Sequence, residues 1–381
     1  MDINQPLPLL GGLTAAQFMR RHWQKKPLLI RQAIPGFTPP ISRAALFELA
    51  GQDDVESRLI RKKGEAWQLR QGPLARRVLP PLNEAGWTML VQGVDLHHDG
   101  AHELMRNFRF LPDARVDDLM ISYASNGGGV GPHFDSYDVF LLQAHGTRRW
   151  SIGRQRDLTL QKNVPLKILE NFEPEQTFVL EPGDMLYLPP RYAHDGVAET
   201  GDCMTYSIGL RAPAENDLAA DLLVRIAEAA ADEIADDLAD GVVSPRYRDP
   251  GQMPVTASAA VPETMQAFAR EAVLGALRDV SVIDRALGES LTEPKPLVWF
   301  ESTEMPDVWQ SLSLDKRTRM LYDEQHLYIN GESFRAAGRD ATLMRRLADQ
   351  RALDARELKG ASEGARELLG DWCDAGWVHA A

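Results

Sequence analysis

The chain reads as a mainly β core, a sandwich or barrel, followed by a helical region and a small helix-plus-hairpin α+β domain. Three observations carry this reading. Between residues 117 and 211, short apolar runs alternate with Gly and Pro breaks, the texture of successive strands. After Pro213 the apolar residues recur at helical spacing. Beyond residue 295, strand-like runs flank Asn330-Gly331, a pair that favours two-residue hairpin turns. At 381 residues two or three domains are expected, and these changes in texture place them at 1–212, 213–294 and 295–381.

Taken in order, residues 1–116 are mixed, with amphipathic helices expected at Ala15–Trp23 and Arg43–Ala50 among polar loops. The core strands are expected at Leu119–Tyr123, Val139–Leu142, Arg149–Ile152, Thr177–Leu180, Met185–Leu188 and Met204–Ile208. Pro182-Gly183-Asp184 reads as a turn between two of them. Roughly five to eight strands at such spacing suit a sandwich or a barrel. In the middle region Leu218, Leu222, Ile226, Ile234 and Leu238 form a helical stripe interspersed with Asp and Glu. Pro245, Pro250 and Pro254 end it, and Val261–Leu287 resumes helix. The last region holds strands at Arg319–Tyr322, His326–Ile329 and Ser333–Arg335, then helices at Ala341–Gln350 and Gly364–Trp372.

Composition narrows the function classes. The chain is 44% hydrophobic and 25% charged, as a globular protein is. No run approaches the ~18 apolar residues that cross a bilayer, and Met1–Leu10 lacks the basic-then-apolar pattern of a secretion signal. Two cysteines, Cys203 and Cys373, allow neither a disulfide framework nor a four-cysteine zinc site. A cytoplasmic protein with reduced thiols is expected. The net charge is −13, and it is uneven. Residues 1–212 carry 24 basic and 24 acidic side chains, residues 213–294 carry 6 and 16, and residues 295–381 carry 12 and 15. Nothing here is basic enough to track phosphates, so no direct nucleic-acid contact is expected, and a basic partner suits the acidic middle better.

The chemistry is expected around His133-Phe134-Asp135. If this stretch is a strand, His133 and Asp135 point to one face, an imidazole beside a carboxylate. His194, beyond a turn, a strand and Pro189-Pro190, is the candidate third ligand. Two neutral imidazoles and one carboxylate leave about three of six octahedral positions open, the pattern of non-haem Fe(II) oxygenases. The preceding Gly127-Gly128-Gly129-Val130-Gly131 lacks the Lys-Ser/Thr of a phosphate loop and reads as a place for positive φ and close backbone approach. His97, His98 and His102 read as a loop or helix end, and His145 as a turn residue. A dicarboxylate co-substrate needs a cation for its far end, and Arg148 or Arg149 offers one. Adjacent residues of a strand face opposite ways, so only one of them enters the barrel.

Residues 118–153, and 182–213 with PGDMLYLPPRYAH and YSIGLRAP, resemble the bacterial ribosomal oxygenases of the Jumonji-type cupin family, especially its arginine hydroxylases of large-subunit ribosomal protein sixteen. WQKKPLLIRQA at Trp23–Ala33 is similar to the same family. The resemblance implies a double-stranded β-helix, a helical dimerisation region and a C-terminal winged-helix-like domain. It implies Fe(II) on His133, Asp135 and His194, the 2-oxoglutarate carboxylate on Arg148, and Ser122 lining that pocket. O₂ would be the co-substrate, and the chain a 2-oxoglutarate-dependent dioxygenase acting on an arginine of a basic ribosomal protein, as a homodimer.

A guanidinium target needs a carboxylate or an aromatic wall. Tyr137, by alternation from Asp135, and Asp118, by alternation from Ser122, are the candidate substrate residues. Two other readings stay open at this point. One is a histidine hydroxylase or methyl-lysine demethylase of the same fold. The other is a zinc- or manganese-binding cupin that binds without oxidation.

Overall fold

The computed structural model describes residues 3–239, 243–303, 309–335 and 337–381, with side chains inside these ranges except at 233 and 235–238. Two compact units are present. One comprises 1–212 with 295–301 and 315–317, and the other 213–294, 302–314 and 318–381. A unit boundary thus falls after Ala212. The one expected at 294/295 does not separate two bodies, because the helical region packs with the C-terminal residues.

The first unit is built from antiparallel strands: β1 (Leu28–Ile30), β2 (Ser57–Lys63), β3 (Ala66–Gln71), β4 (Trp87–Val91), β5 (Val116–Ala124), β6 (Asp138–His145), β7 (Arg148–Arg154), β8 (Gln176–Leu180), β9 (Met185–Leu188), β10 (Tyr192–Ala198) and β11 (Cys203–Leu210). Eight of them form a sheet in the order β1-β9-β6-β11-β5-β4-β2-β3, and β10-β7-β8 form a second. Strand alternation divides the large sheet cleanly. On β5, Leu119, Ile121 and Tyr123 enter a core shared with Phe140, Leu142, Tyr187, Tyr206 and the N-terminal helices. Val139 and Leu141 of β6 face the opposite way, into a cluster with Trp150, Ile152, Leu186 and Leu188. The side of β5 that carries Asp118, Met120 and Ser122 is therefore the inner wall.

The N-terminal helices seal the outer face. Ala15–Arg21 opens with a reciprocal capping box between Thr14 and Gln17 and buries Phe18. Phe18 stands edge-on to Tyr187, with ring centroids 4.9 Å apart. The Trp23–Ala33 segment is held by the same tyrosine. Gln24 donates its backbone N–H to Tyr187 Oη at 2.8 Å, that hydroxyl donates to buried Asp138 at 2.6 Å, and Leu28–Ile30 pairs with β9. The small hydrophobic sequence PLLI is thus the edge strand of the large sheet.

In the second unit Glu215–Ala239, Glu263–Ala276 and Val280–Thr292 are helices. The expected single helix over Val261–Leu287 is broken where Asp279 caps a new start, accepting from Ser281 N–H at 2.9 Å. The apolar stripe also needs correction. Leu218, Leu222 and Ile226 are half-buried or buried, and their helix packs on Val280–Thr292 of the same chain. Ile234 is 58% exposed, with Leu223 and Val224 exposed as well. The side chain of Leu238 lies outside the described residues. The C-terminal part holds the expected strands, as Met320–Tyr322, His326–Ile329 and Glu332–Arg335, and the expected helices, as Gly338–Gln350 and Glu363–Asp374. Its core includes Leu347, Leu369 and Trp372. No described helix is long and apolar enough to cross a membrane.

Candidate active site

His133 does not lie in a strand. It forms an isolated bridge with His194 on β10, where each backbone N–H bonds the other's carbonyl, at 3.0 and 2.8 Å. Asp135 follows in irregular chain, and Arg191 N–H bonds its carbonyl at 2.7 Å. The side chains converge nonetheless. Ligand atoms of His133, Asp135 and His194 all lie within 4.8 Å of one another, the one such acidic or histidine cluster among the described residues. His194 Nε2 is 3.6 Å from Asp135 Oδ2, and the two imidazole centroids are 4.3 Å apart.

The tautomers suit metal binding. His133 Nδ1 lies 2.9 Å from Gly131 O, and His194 Nδ1 lies 3.0 Å from Tyr192 O. A carbonyl only accepts, so each Nδ1 carries the proton and each Nε2 presents a lone pair. Burial, and then the adjacent His133, hold the His194 pKa well below its ordinary value, which keeps that ring neutral. Two neutral nitrogens and one carboxylate oxygen are a donor set for a divalent first-row metal.

The glycine loop makes this convergence possible. Gly127 and Gly131 have φ of +71° and +81°. A Cβ on Gly128 would sit 2.3 Å from Trp87 O, and one on Gly129 2.6 Å from Gly196 O. The loop is wedged between β4 and β10, and both the positive φ and the close approach read from the sequence are present. Facing it, Trp150 lies 5.7 Å from the His194 ring, over Gly196, where a Cβ would meet the indole at 2.5 Å.

The choice between the two arginines is settled by strand direction. Arg148 is buried on the inner face, 4% exposed, whereas Arg149 is exposed and pairs with Glu199 at 3.5 Å. Arg148 donates Nη1–H to Ser122 Oγ at 3.3 Å, linking the two sheets. Its Nε and Nη2 are buried with no hydrogen-bond partner among the described residues, and the guanidinium lies over the Trp150 ring, 5.7 Å from its centroid. Leaving charged donors unpaired in a protein interior is costly, so an anionic group with two acceptor oxygens fits here. A carboxylate of a small dicarboxylic acid has that shape and charge.

Tyr137 is not placed by strand alternation from Asp135, because neither residue is in a strand. Tyr137 is 38% exposed. Burial, then the charges of Asp135, Asp118 and Asp117, push its pKa up, so its hydroxyl stays protonated. Asp118 lies on the inner wall and is buried. Its Oδ2 accepts from Gly93 N–H at 3.0 Å and lies 2.9 Å from Lys295 Nζ. Met120 and Ser207, paired across β5 and β11, are the inner-wall residues that the sequence reading passed over. They are partly exposed where their strands are otherwise buried, and their signal was the same alternation that placed Ser122. His98 caps the helix Asp99–Met105, and His145 lies beside Asp202 O at 2.9 Å. Neither approaches the cluster.

Comparison with known proteins agrees with this geometry. The JmjC domain family matches residues 103–218, and the ROXA-like winged helix matches residues 259–379. The chain is 43% identical over 204 residues to the ribosomal protein uL16 3-hydroxylase of Escherichia coli, covering 53% of each chain. It is 40% identical over 205 residues to a probable ribosomal oxygenase of Haemophilus influenzae, covering 53% of this chain and 50% of that one. It is 27% identical over 205 residues to a bifunctional lysine-specific demethylase and histidyl-hydroxylase of Aedes aegypti, covering 48% of this chain and 31% of that one. These alignments span about half the length of the two bacterial relatives and less of the third. Solved structures match throughout. The E. coli YcfD crystal structure has a TM-score of 0.80 at 30% identity, covering 97% of this chain and 98% of that one. YcfD in complex with cobalt and 2-oxoglutarate has a TM-score of 0.77 at 30% identity, with the same coverage. A double-sheet JmjC core, a winged-helix C-terminal part and a full-length match to YcfD together mean that this chain belongs to the JmjC-domain ribosomal oxygenase family.

Proposed function

We propose that this chain is an Fe(II)- and 2-oxoglutarate-dependent oxygenase that hydroxylates an arginine side chain of a large-subunit ribosomal protein. One observation carries the reading most: a buried Arg148 with two unpaired donor positions, inside the same barrel as a two-imidazole, one-carboxylate cluster. His133, Asp135 and His194 would hold iron, and Arg148 with Ser122 would receive the far carboxylate of 2-oxoglutarate. With O₂, that pair supplies oxidative decarboxylation to succinate coupled to insertion of one oxygen atom into a C–H bond.

The chain's own residues do the rest. His133 and His194 keep their Nε2 lone pairs directed inward by donating Nδ1–H to Gly131 and Tyr192 carbonyls. Trp150 and Leu186 exclude water from the inner face. Asp118 and Tyr137 would offer a carboxylate and an aromatic hydroxyl to a guanidinium, with Met120 between Asp118 and Ser122 on one face of β5 and Ser207 paired to Met120. The named activity of the E. coli relative supports a uL16 target, and the acidic inner wall supports arginine within it. The substrate is thus a basic protein, and the enzyme a homodimer through its helical region.

The test is turnover. Enzyme with Fe(II), ascorbate, 2-oxoglutarate and uL16 should form succinate and add 16 Da to one arginine. His133→Ala should lose both iron and turnover. A gain of 16 Da on histidine would transfer the reading to a histidine hydroxylase, and a loss of 14 Da with formaldehyde to a demethylase. Tight binding of zinc or manganese with no succinate would leave a binding cupin.

A further inference from the structure

Residues 295–301 return to the first unit without helix or strand, and they deliver one cation to its inner wall. Lys295 Nζ lies 3.0 Å from Asp117 Oδ1 and 2.9 Å from Asp118 Oδ2, with its side chain 20% exposed. Arg211 Nε reaches the same Asp117 oxygen at 3.2 Å. Behind them is Asp95, whose Oδ1 accepts from Leu119 N–H at 2.8 Å. Burial and then Asp118 push the Asp95 pKa up to about 6, while Lys295 works against that rise. Asp117 and Asp118 are therefore already matched by two cations before any substrate arrives.

We propose that Lys295 is the resident counter-ion of the substrate-recognition carboxylate Asp118, which an incoming guanidinium must share or displace, so that Lys295 sets substrate affinity and release. This rests on Asp118 being the residue that meets the substrate arginine. The physical case is a contest between two cations. A buried carboxylate with no partner is costly, so an empty site needs an internal cation beside Asp118, and Lys295 Nζ lies 2.9 Å from its Oδ2. An ammonium on a flexible stem is a point charge that engages one oxygen of each carboxylate. A guanidinium presents a planar fork and two parallel N–H groups, and can take both oxygens of one. The hydrogen bond and ion pair that Asp118 makes both fall on Oδ2. Lysine is thus a weaker occupant than the substrate, and its return assists product release.

Lys295 is a positioning residue on this account, and the test separates it from a structural tie. The full chain with Fe(II) and 2-oxoglutarate is titrated with an arginine-bearing uL16 peptide, comparing wild type, Lys295→Met, Lys295→Gln, Lys295→Arg and Asp118→Asn. Removing the competing charge should lower the KM for peptide about tenfold in Lys295→Met, a larger change than in kcat, with the KM for 2-oxoglutarate unmoved. Lys295→Gln keeps one hydrogen bond without the charge and should move in the same direction. Lys295→Arg should restore a KM at or above wild type. Asp118→Asn should raise the peptide KM. If Asp118→Asn raises KM but both neutral Lys295 variants leave it unchanged or raise it, the counter-ion role is wrong and the recognition carboxylate stands. If Asp118→Asn leaves KM unchanged, the recognition role of Asp118 fails, and the inference with it.

Discussion

Arg148 shows how much a single side chain can report. Among the described residues no acceptor meets its Nε and Nη2, and its guanidinium lies over the Trp150 ring, 5.7 Å from the centroid, so a bound anion would offset much of the cost of burying it. Loss of a buried, charge-assisted carboxylate pair costs about 2–5 kcal/mol. Arg148→Met should therefore raise the KM for 2-oxoglutarate by roughly one to three decades. Iron content, measured by metal analysis, should be unchanged, because the guanidinium contacts no ligand of the cluster. Arg149→Met, which breaks only an exposed pair with Glu199, should leave that KM alone. Gly196 tests positioning instead. An alanine there would place its Cβ 2.5 Å from the Trp150 ring. Such overpacking costs about 1–3 kcal/mol, and β10 must shift to relieve it. Gly196→Ala should lower Tm and weaken iron binding together, since His194 is on that strand.

Asp95 supplies a pH test at the same scale. Its pKa is raised by burial and by Asp118 to about 6, above the ordinary carboxylate value near 4. The folded state therefore holds a proton that the unfolded state has lost between those two values. Stability from this group is present below the unfolded pKa and is lost as pH rises through about 6. Asp95→Asn keeps an acceptor for Leu119 N–H and never ionises. Denaturant melts should show the variant more stable than wild type at pH 8, by about 1–3 kcal/mol, with the advantage fading toward pH 4.5. An advantage independent of pH would contradict the burial argument.

Several core strands were legible because their apolar runs are unbroken, although two such runs, Leu28–Ile30 and Trp87–Val91, were passed over among the polar loops of residues 1–116. Runs such as Val139–Leu142 and Met185–Leu188 are buried on both faces and read directly as strands. β10 did not, because Pro189-Pro190 before it and Gly196 within it resemble breakers. That glycine is where the indole of Trp150 needs room, so the same residue that positions His194 disguised its strand. β2 and β3 were hidden by charge: Arg58, Arg61, Lys62 and Lys63 interrupt the pattern on β2, the strand next to the sheet's edge strand β3. At the site the ligand residues were legible, but the strand argument for His133 and Asp135 was not the reason they meet. The convergence comes from the two-way bridge to β10 and from glycines that let the loop approach it. Arg148 against Arg149 was undecidable in sequence, since alternation gives opposite faces without saying which is inward.

At the scale of the whole molecule, the exposed apolar residues of the helical region call for a partner. Leu223 and Ile234, eleven positions apart, lie about 20° from each other around a helix of ~3.6 residues per turn, and Val224 is beside the first. They are 56%, 58% and 57% exposed. Helix Glu263–Ala276 adds Val273 and Leu274, each 63% exposed. Apolar side chains left this exposed suit an interface, and the homodimer that the family resemblance implies would cover them. The expected dimer face is therefore the exposed side of this helix and not Leu222 and Ile226, whose helix packs on Val280–Thr292 of the same chain. Light scattering should give twice 42.5 kDa for the wild type. Leu223→Asp with Val224→Asp should give a folded monomer. Leu222→Asp with Ile226→Asp should instead damage the fold, because those residues pack within the chain.

The charge of the same region gives the last expectation. Residues 213–294 carry 16 acidic against 6 basic side chains, while the catalytic residues 1–212 are balanced. A field of one sign acts beyond contact distance and raises the encounter rate with a basic protein. It does so only within the Debye length, about 8 Å at physiological ionic strength. Steering therefore belongs to association and not to dissociation. Stopped-flow binding of uL16 should show k_on falling several-fold between about 50 and 300 mM salt, with k_off changing less. Neutralising a set of exposed acidic residues on the helix, such as Glu215, Asp217 and Glu228 to Gln or Asn, should flatten that slope without changing KM for 2-oxoglutarate. A slope that survives the substitutions would locate the attraction in Asp117 and Asp118 at the barrel wall instead. In that case Lys295, which already neutralises part of that wall, becomes the residue whose replacement steepens it.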